Sequence, residues 1–183
     1  MAVREILLYP DQKGVLRWKS ESVQKLNRSV KRLIEDLKDT LGAHPQGIGL
    51  AAPQVGVHQR VVLVRLGAGS DGNPEPDPAL VLINPRIVEA RDEREDFDGC
   101  LSFPGLYGRT SRPHFLRVTG LDEWGRLFDR SLEGFDAVVV HHEMDHLDGV
   151  LFIDRVRRLE DLYQMCVDEN CQPVRVPLSA TTS

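Results

Sequence analysis

The feature that most constrains this chain is a stretch from Asp136 in which an apolar run, Ala137 to Val140, leads directly into His141-His142-Glu143-Met144-Asp145-His146. On a helix, His142 and His146 lie one turn apart on the same face, so both imidazoles can reach one metal ion, and Glu143 sits beside the ion's open side. The valines belong in a core, and Gly149 is the expected terminator.

A catalytic ion held this way needs a third protein ligand and a position left for water. The metzincin spacing, HExxHxxGxxH, has Gly149 in place but Phe152 where its third histidine belongs. A thermolysin-like glutamate would have to be Glu160 or Asp161, close to His146 for a separate helix to return. Cys100, in Asp98-Gly99-Cys100-Leu101-Ser102-Phe103-Pro104-Gly105, can complete a Cys-His-His site. Taken alone, it reads more simply as a buried structural thiol.

Composition narrows the setting. At 183 residues, one domain spanning 1–183 can bury a sufficient core. A hydrophobic fraction of 41%, with no apolar run of membrane-spanning length, leaves no membrane partner to expect. The net charge of -5, with both signs interspersed, offers no broad basic face for nucleic acid. Met1 to Asp11 is too briefly apolar and too charged for a signal peptide, so a cytoplasmic location is expected. In that reducing compartment Cys100, Cys166 and Cys171 are thiols, ligands or nucleophiles.

Val23, Leu26, Val30, Leu33, Ile34, Leu37 and Leu41 recur at helical spacing, with Ser20 or Ser22 as candidate caps and Gly42 as a stop. Strands are expected over Arg60–Leu66, Leu80–Asn84 and Arg86–Ala90, with an exposed connection over Gly67–Pro78. Phe115–Leu121 and Arg126–Leu132 flank the turn-like Asp122-Glu123-Trp124-Gly125 as a hairpin. Leu159, Leu162, Met165 and Cys166 suggest one more short helix, and residues from about 171 to 183 a loose tail.

Gly47-Ile48-Gly49-Leu50-Ala51-Ala52-Pro53-Gln54-Val55-Gly56 lacks the Lys-Ser/Thr of a phosphate loop. Its small residues let an extended backbone lie close, with Gln54 as an amide donor, and a tight structural turn fits the composition equally well. In order along the chain, this segment, Asp98 to Ser102 and His141 to Gly149 resemble the three signature motifs of the peptide deformylase family, GxGxAAxQ, EGCLS and QHExDHLxG. The resemblance runs from the N-terminal helix to Phe152. It implies an α+β fold in which antiparallel β-sheets surround a central helix bearing the HExxH sequence, with an N-terminal amphipathic helix.

The resemblance further implies hydrolysis of the N-formyl group from the formyl-methionine of newly made polypeptides, releasing formate. Cys100, His142 and His146 match the family's metal ligands, Glu143 its general acid/base, and Gln54 with the Leu101 N–H its oxyanion donors. Ile48, Gly49 and Gly99 match positions lining the substrate strand. The family implies one divalent transition metal per chain, Fe(II), or Zn(II) or Ni(II). Its substrate is an N-formylmethionyl peptide on ribosome-associated nascent chains. The basic C-terminal helix that some members use for ribosome contact has no counterpart in Leu159 to Asn170, which contains no lysine or arginine.

Two positions depart from the motifs, Asp98 for Glu and His141 for Gln. A carboxylate one methylene shorter must re-aim or weaken its contact beside the ligands. Asp98 is expected to pair with Arg112 and so support the loop bearing Cys100. Val138 and Val139 are candidates for an apolar pocket that takes the methionine side chain. The other readings are a zinc endopeptidase, resting on HExxH alone, and a noncatalytic metal-binding homologue.

Overall fold

The computed structural model describes residues 2–67, 79–167 and 172–178. In chain order its helices are α1 (Lys13–Leu16), α2 (Arg28–Gly42) and α3 (Gly134–Leu147). Its strands are β1 (Gly49–Ala51), β2 (Val61–Val64), β3 (Leu80–Gly99), β4 (Leu106–Leu121), β5 (Leu127–Glu133), β6 (Leu162–Val167) and β7 (Pro173–Pro177). Rather than separate sheets, they form one seven-stranded antiparallel sheet in the order β1-β2-β3-β4-β6-β7, with β5 also pairing β4.

The amphipathic helix starts later than its apolar spacing suggests. Asn27 is the cap, its side chain accepting from the Ser29 and Val30 N–H groups, which satisfies two otherwise unpaired donors. Val23 lies outside the helix, where the Asn84 amide pairs with its backbone, accepting from Val23 N and donating to Val23 O, both at 2.8 Å. Val23 and Leu26 still pack in the same cluster as Val30, Leu33, Leu37 and Leu41. The apolar spacing therefore marks a shared core, and only its later part marks a helix.

The two strands expected over Leu80–Asn84 and Arg86–Ala90 are one twenty-residue strand, β3. Its pairing with β4 shifts between Ile83 and Arg86, where Asn84 takes φ 51° and Pro85, which has no N–H to donate, is accommodated. Where a short helix from Leu159 was expected, only Leu159–Asp161 is a 3-10 turn; Leu162–Val167 is a strand on Leu106–Gly108 of β4, and Pro173–Pro177 of the expected tail pairs antiparallel with it. The Gly67–Pro78 connection beyond Gly67, Cys171 and the last five residues lie outside the described residues.

α3 is buried on nearly all sides, from Ala137 through Leu147, as a helix inside a core must be. One side packs with Val62, Leu82, Leu116 and Val118 of the sheet. Beside its C-terminal end lies a separate cluster of Leu16, Phe103, Leu151 and Phe152. Gly149, at φ 71°, ends it where a Cβ would collide with the Arg17 carbonyl, so only glycine suits the position. The sheet and this second cluster leave one corner for polar groups, where β3 ends and His142 and His146 project.

Candidate metal centre

β3 delivers Cys100 to that corner and α3 delivers His142 and His146. The three donor atoms lie within 4.8 Å of one another, with Cys100 Sγ 3.3 Å from His146 Nε2. The two imidazole rings are 5.0 Å apart between centroids. His142 Nδ1 donates to Asp98 Oδ1 at 2.7 Å, which orients the ring and leaves Nε2 as the atom for which a proton and an ion compete. Burial would push His142 down, but the Asp98 carboxylate more than offsets it and holds the ring's proton. A divalent cation competes with that proton for the ring.

Burial, aided by His142, pushes His146 down to about 3, so its ring is neutral and able to ligate. Its Nδ1 is buried without a hydrogen-bond partner among the described residues. A soft sulfur and two neutral-capable imidazoles at mutual distances that one ion can span suit Fe(II), Zn(II) or Ni(II). The donor set fits the group that the sequence implied.

Glu143 is 4% exposed, and burial pushes its carboxyl up to about 7. Its Oε1 packs so tightly on Gly49 that a Cβ there would overlap it, while Oε2 is buried with no partner among the described residues. Gln54 is in a 3-10 turn after β1. Its Oε1 accepts from Ala51 N, turning Nε2 toward Cys100 Sγ at 3.4 Å and Ser102 Oγ at 3.2 Å. Leu101 follows Cys100 and packs against the α2 cluster. Ile48 is half-buried against the cluster of Val62, Leu82 and Leu116. Gly99 is covered by the Tyr107 ring, which a Cβ would meet at 2.8 Å. Val138 and Val139 are both buried, and Val139 packs in the cluster with Leu116.

The Asp98–Arg112 pair is present. Arg112, 1% exposed, donates from Nε to Asp98 Oδ2 at 2.7 Å. The shorter aspartate thus makes close contacts to both Arg112 and His142, and the weakening expected of it is not seen. Burial would raise Asp98, but His142 and Arg112 together hold it well below the usual carboxylate range. The same guanidinium donates from Nη1 to Asp145 Oδ2 at 2.7 Å and to His141 Nδ1 at 2.8 Å. His141, pushed down to about 4 mainly by burial, is the neutral acceptor that contact requires, since arginine only donates. Asp145 in turn receives Arg155 on both oxygens, at 2.5 and 2.6 Å.

Sequence reasoning gave no role to Asp145, Ser102 or Arg155. Asp145 carried a signal, being a carboxylate one turn after His141 on a helix expected to be buried. Arg112→Ala would leave two buried carboxylates short of their cation, an expected loss of about 3–5 kcal/mol in stability. It would also weaken metal retention through Asp98 and His142. Denaturant unfolding and metal competition measure the two effects, and unchanged metal affinity with unchanged turnover would show that something else holds the Cys100 loop.

The sequence model of the polypeptide deformylase family matches residues 3–161. The chain belongs to that family. A peptide deformylase of Caldicellulosiruptor bescii is 42% identical over 158 residues, covering 86% of this chain and 88% of its own. Among solved structures, the peptide deformylase of Ehrlichia chaffeensis in complex with actinonin superposes with a TM-score of 0.77 at 34% identity, covering 86% of this chain and 91% of that one. The class I type b peptide deformylase of Acinetobacter baumannii in its K3U-bound form gives a TM-score of 0.76 at 28% identity, covering 85% of this chain and 100% of that one. Its Met-Ala-Ser-bound form gives 0.75 at the same identity and coverage. Deformylase membership makes the chain a hydrolase of the class that removes N-formyl groups from nascent peptides, and the mixed fold with its curled antiparallel sheet agrees.

Proposed function

We propose that the chain, as one catalytic domain over 1–183, hydrolyses the N-formyl group of formyl-methionyl nascent chains in the cytoplasm. One divalent ion, Fe(II) with Zn(II) or Ni(II) as alternatives, is held by Cys100, His142 and His146. The observation carrying this is the convergence of those three donors beside the buried, unpartnered Oε2 of Glu143. A cation bound there supplies Lewis acidity, polarising a carbonyl and bringing the pKa of water toward neutrality.

The chain's own groups do the rest. Glu143 accepts the water's proton at Oε2 as the formyl carbon is attacked and delivers it to the departing amine, leaving formate and a free N-terminus. Gln54 Nε2 and the Leu101 N–H donate to the formyl oxygen as its negative charge develops. Ile48, Gly49 and Gly99 line the extended peptide, and the Met-Ala-Ser peptide bound by the Acinetobacter neighbour supports this reading. The methionine side chain enters the apolar side near Ile48, Val138 and Val139.

The test compares formyl-Met-Ala-Ser with acetyl-Met-Ala-Ser. An acetyl methyl must collide with the ligand shell or push the carbonyl off Gln54 and Leu101, and misplaced reacting atoms are costly. A pocket that merely tolerated a methyl would discriminate by about 10- to 200-fold, so a larger preference for formyl is expected. Formate and acetate release are measured beside internal cleavage. Internal cleavage without formate would replace this reading with a zinc endopeptidase, and no cleavage of either peptide with metal bound would leave a noncatalytic homologue.

A further inference from the structure

Arg65 follows β2 and has no part in the chemistry above. Its guanidinium donates from Nη1 to Gly47 O at 2.7 Å and from Nη2 to Leu41 O at 3.0 Å, with His44 O 3.5 Å from Nη1. Its backbone N–H donates to Ile48 O at 2.8 Å. One residue therefore grips carbonyls along the whole connection from the last turn of α2 to β1. Carbonyls at a helix C-terminus lack partners within the helix and favour a cation. The planar fork of a guanidinium can serve several of them at once, whereas an ammonium is a single point.

What is gripped matters. A Cβ on Gly47 would lie 3.0 Å from Leu41 Cδ1 and 3.1 Å from Leu101 Cδ1, so Gly47 is seated against the residue whose N–H is assigned to the formyl oxygen. Two residues on, Gly49 presses directly on Glu143. Movement of the 44–48 connection would displace the Ile48–Gly49 edge, whereas Glu143 is carried by α3 and Leu101 follows Cys100.

We propose that Arg65 is a positioning residue of the peptide groove. It holds the 44–48 connection so that Ile48 and Gly49 present a formed edge to an extended substrate, an inference that rests on the reading of those two as substrate-lining residues. Because Arg65 contacts backbone carbonyls and none of the metal donors, its removal raises the cost of aligning a peptide and spares the ion.

Arg65→Met and Arg65→Lys, each loaded with metal, are assayed with formyl-Met-Ala-Ser and with formyl-Met alone, beside metal content and melting temperature. For Arg65→Met the KM of the tripeptide is expected to rise about tenfold with kcat within about twofold, since alignment is lost while the reacting groups stay intact. Arg65→Lys should fall between it and wild type, metal per chain should be unchanged, and formyl-Met should respond less because it spans less of the edge. An equal rise for both substrates, a fall in kcat at constant KM, or a lowered melting temperature with unaltered kinetics would each overturn the role. If wild type itself gained nothing from Ala-Ser over formyl-Met, the lining assignment would fail first, and Arg65's role with it.

Discussion

Glu143→Gln is expected to keep metal near one ion per chain while kcat falls by about 10²–10⁴-fold. The two outcomes separate because Glu143 stands outside the ligand trio of Cys100, His142 and His146. An amide of the same shape preserves the packing on Gly49, so the strand beside it should not move. What is lost is the acceptor: Oε2 is buried, without another partner among the described residues, and on a carboxyl that burial lifts to about 7. A group near that value can both take and return a proton at neutral pH.

The pH profile follows with a definite sign. Wild-type activity should fall as pH drops through the Glu143 pKa, because the protonated acid cannot accept. A cation beside it disfavours protonation, so this acid limb should lie at or below about 7 in the metal-loaded enzyme. The residual activity of the glutamine variant should lack that limb. Loss of metal from the variant, or near-normal turnover, would remove Glu143 from the proton-transfer role.

The deep parts of the fold were legible because burial imposes periodicity. The apolar spacing of Val30 to Leu41 and the Ala137–Val140 run before His142 both correspond to buried helix faces. β3 was only half legible because residues 86–96 are exposed and paired with β4 along one edge alone, so no alternation of apolar and polar residues marks them. Leu159 opens a short 3-10 turn, while Leu162 and Met165 share its helical spacing by coincidence and lie in β6, which pairs with Leu106–Gly108, more than fifty residues away in sequence. The helix start was misread for a similar reason, since Val23 pairs with Asn84, distant in sequence, rather than with a helical turn.

At the site, His142, Glu143 and His146 were legible from the HExxH spacing, and Cys100, Gln54 and Leu101 only through the family resemblance, but the connections among them were not. Asp98 and His141 looked like two separate departures, yet both meet the buried Arg112 guanidinium. Spacing along the chain gives no sign of that meeting. It depends on the pairing of Asp98 with Gly108, which sets Arg112 on the inward face of β4 opposite α3. Small departures at motif positions are therefore compatible with hydrogen-bonded support of His142, and the observed 2.7 Å contacts of Asp98 show how.

Cys100→Ser is expected to weaken metal binding by more than about a hundredfold, because losing even a supporting partner of a ligand typically costs about 10–100-fold. A serine hydroxyl is neutral and hard where the thiolate is anionic and soft, so the loss falls hardest on iron and zinc. The Gln54 Nε2–Sγ contact would be weakened as well, taking one constraint from the amide assigned to the formyl oxygen. Cys166→Ser is the control: that thiol is free, partly exposed and on β6, away from the metal donors. Competition against a chelator measures affinity, and formate release measures the consequence. The Cys100→Ser enzyme should regain part of its turnover at high added metal, whereas the Cys166→Ser enzyme should need none. Equal chelator resistance in wild type and both variants would place the third ligand somewhere other than Cys100, and the reading of the whole centre would have to be rebuilt from His142 and His146 alone.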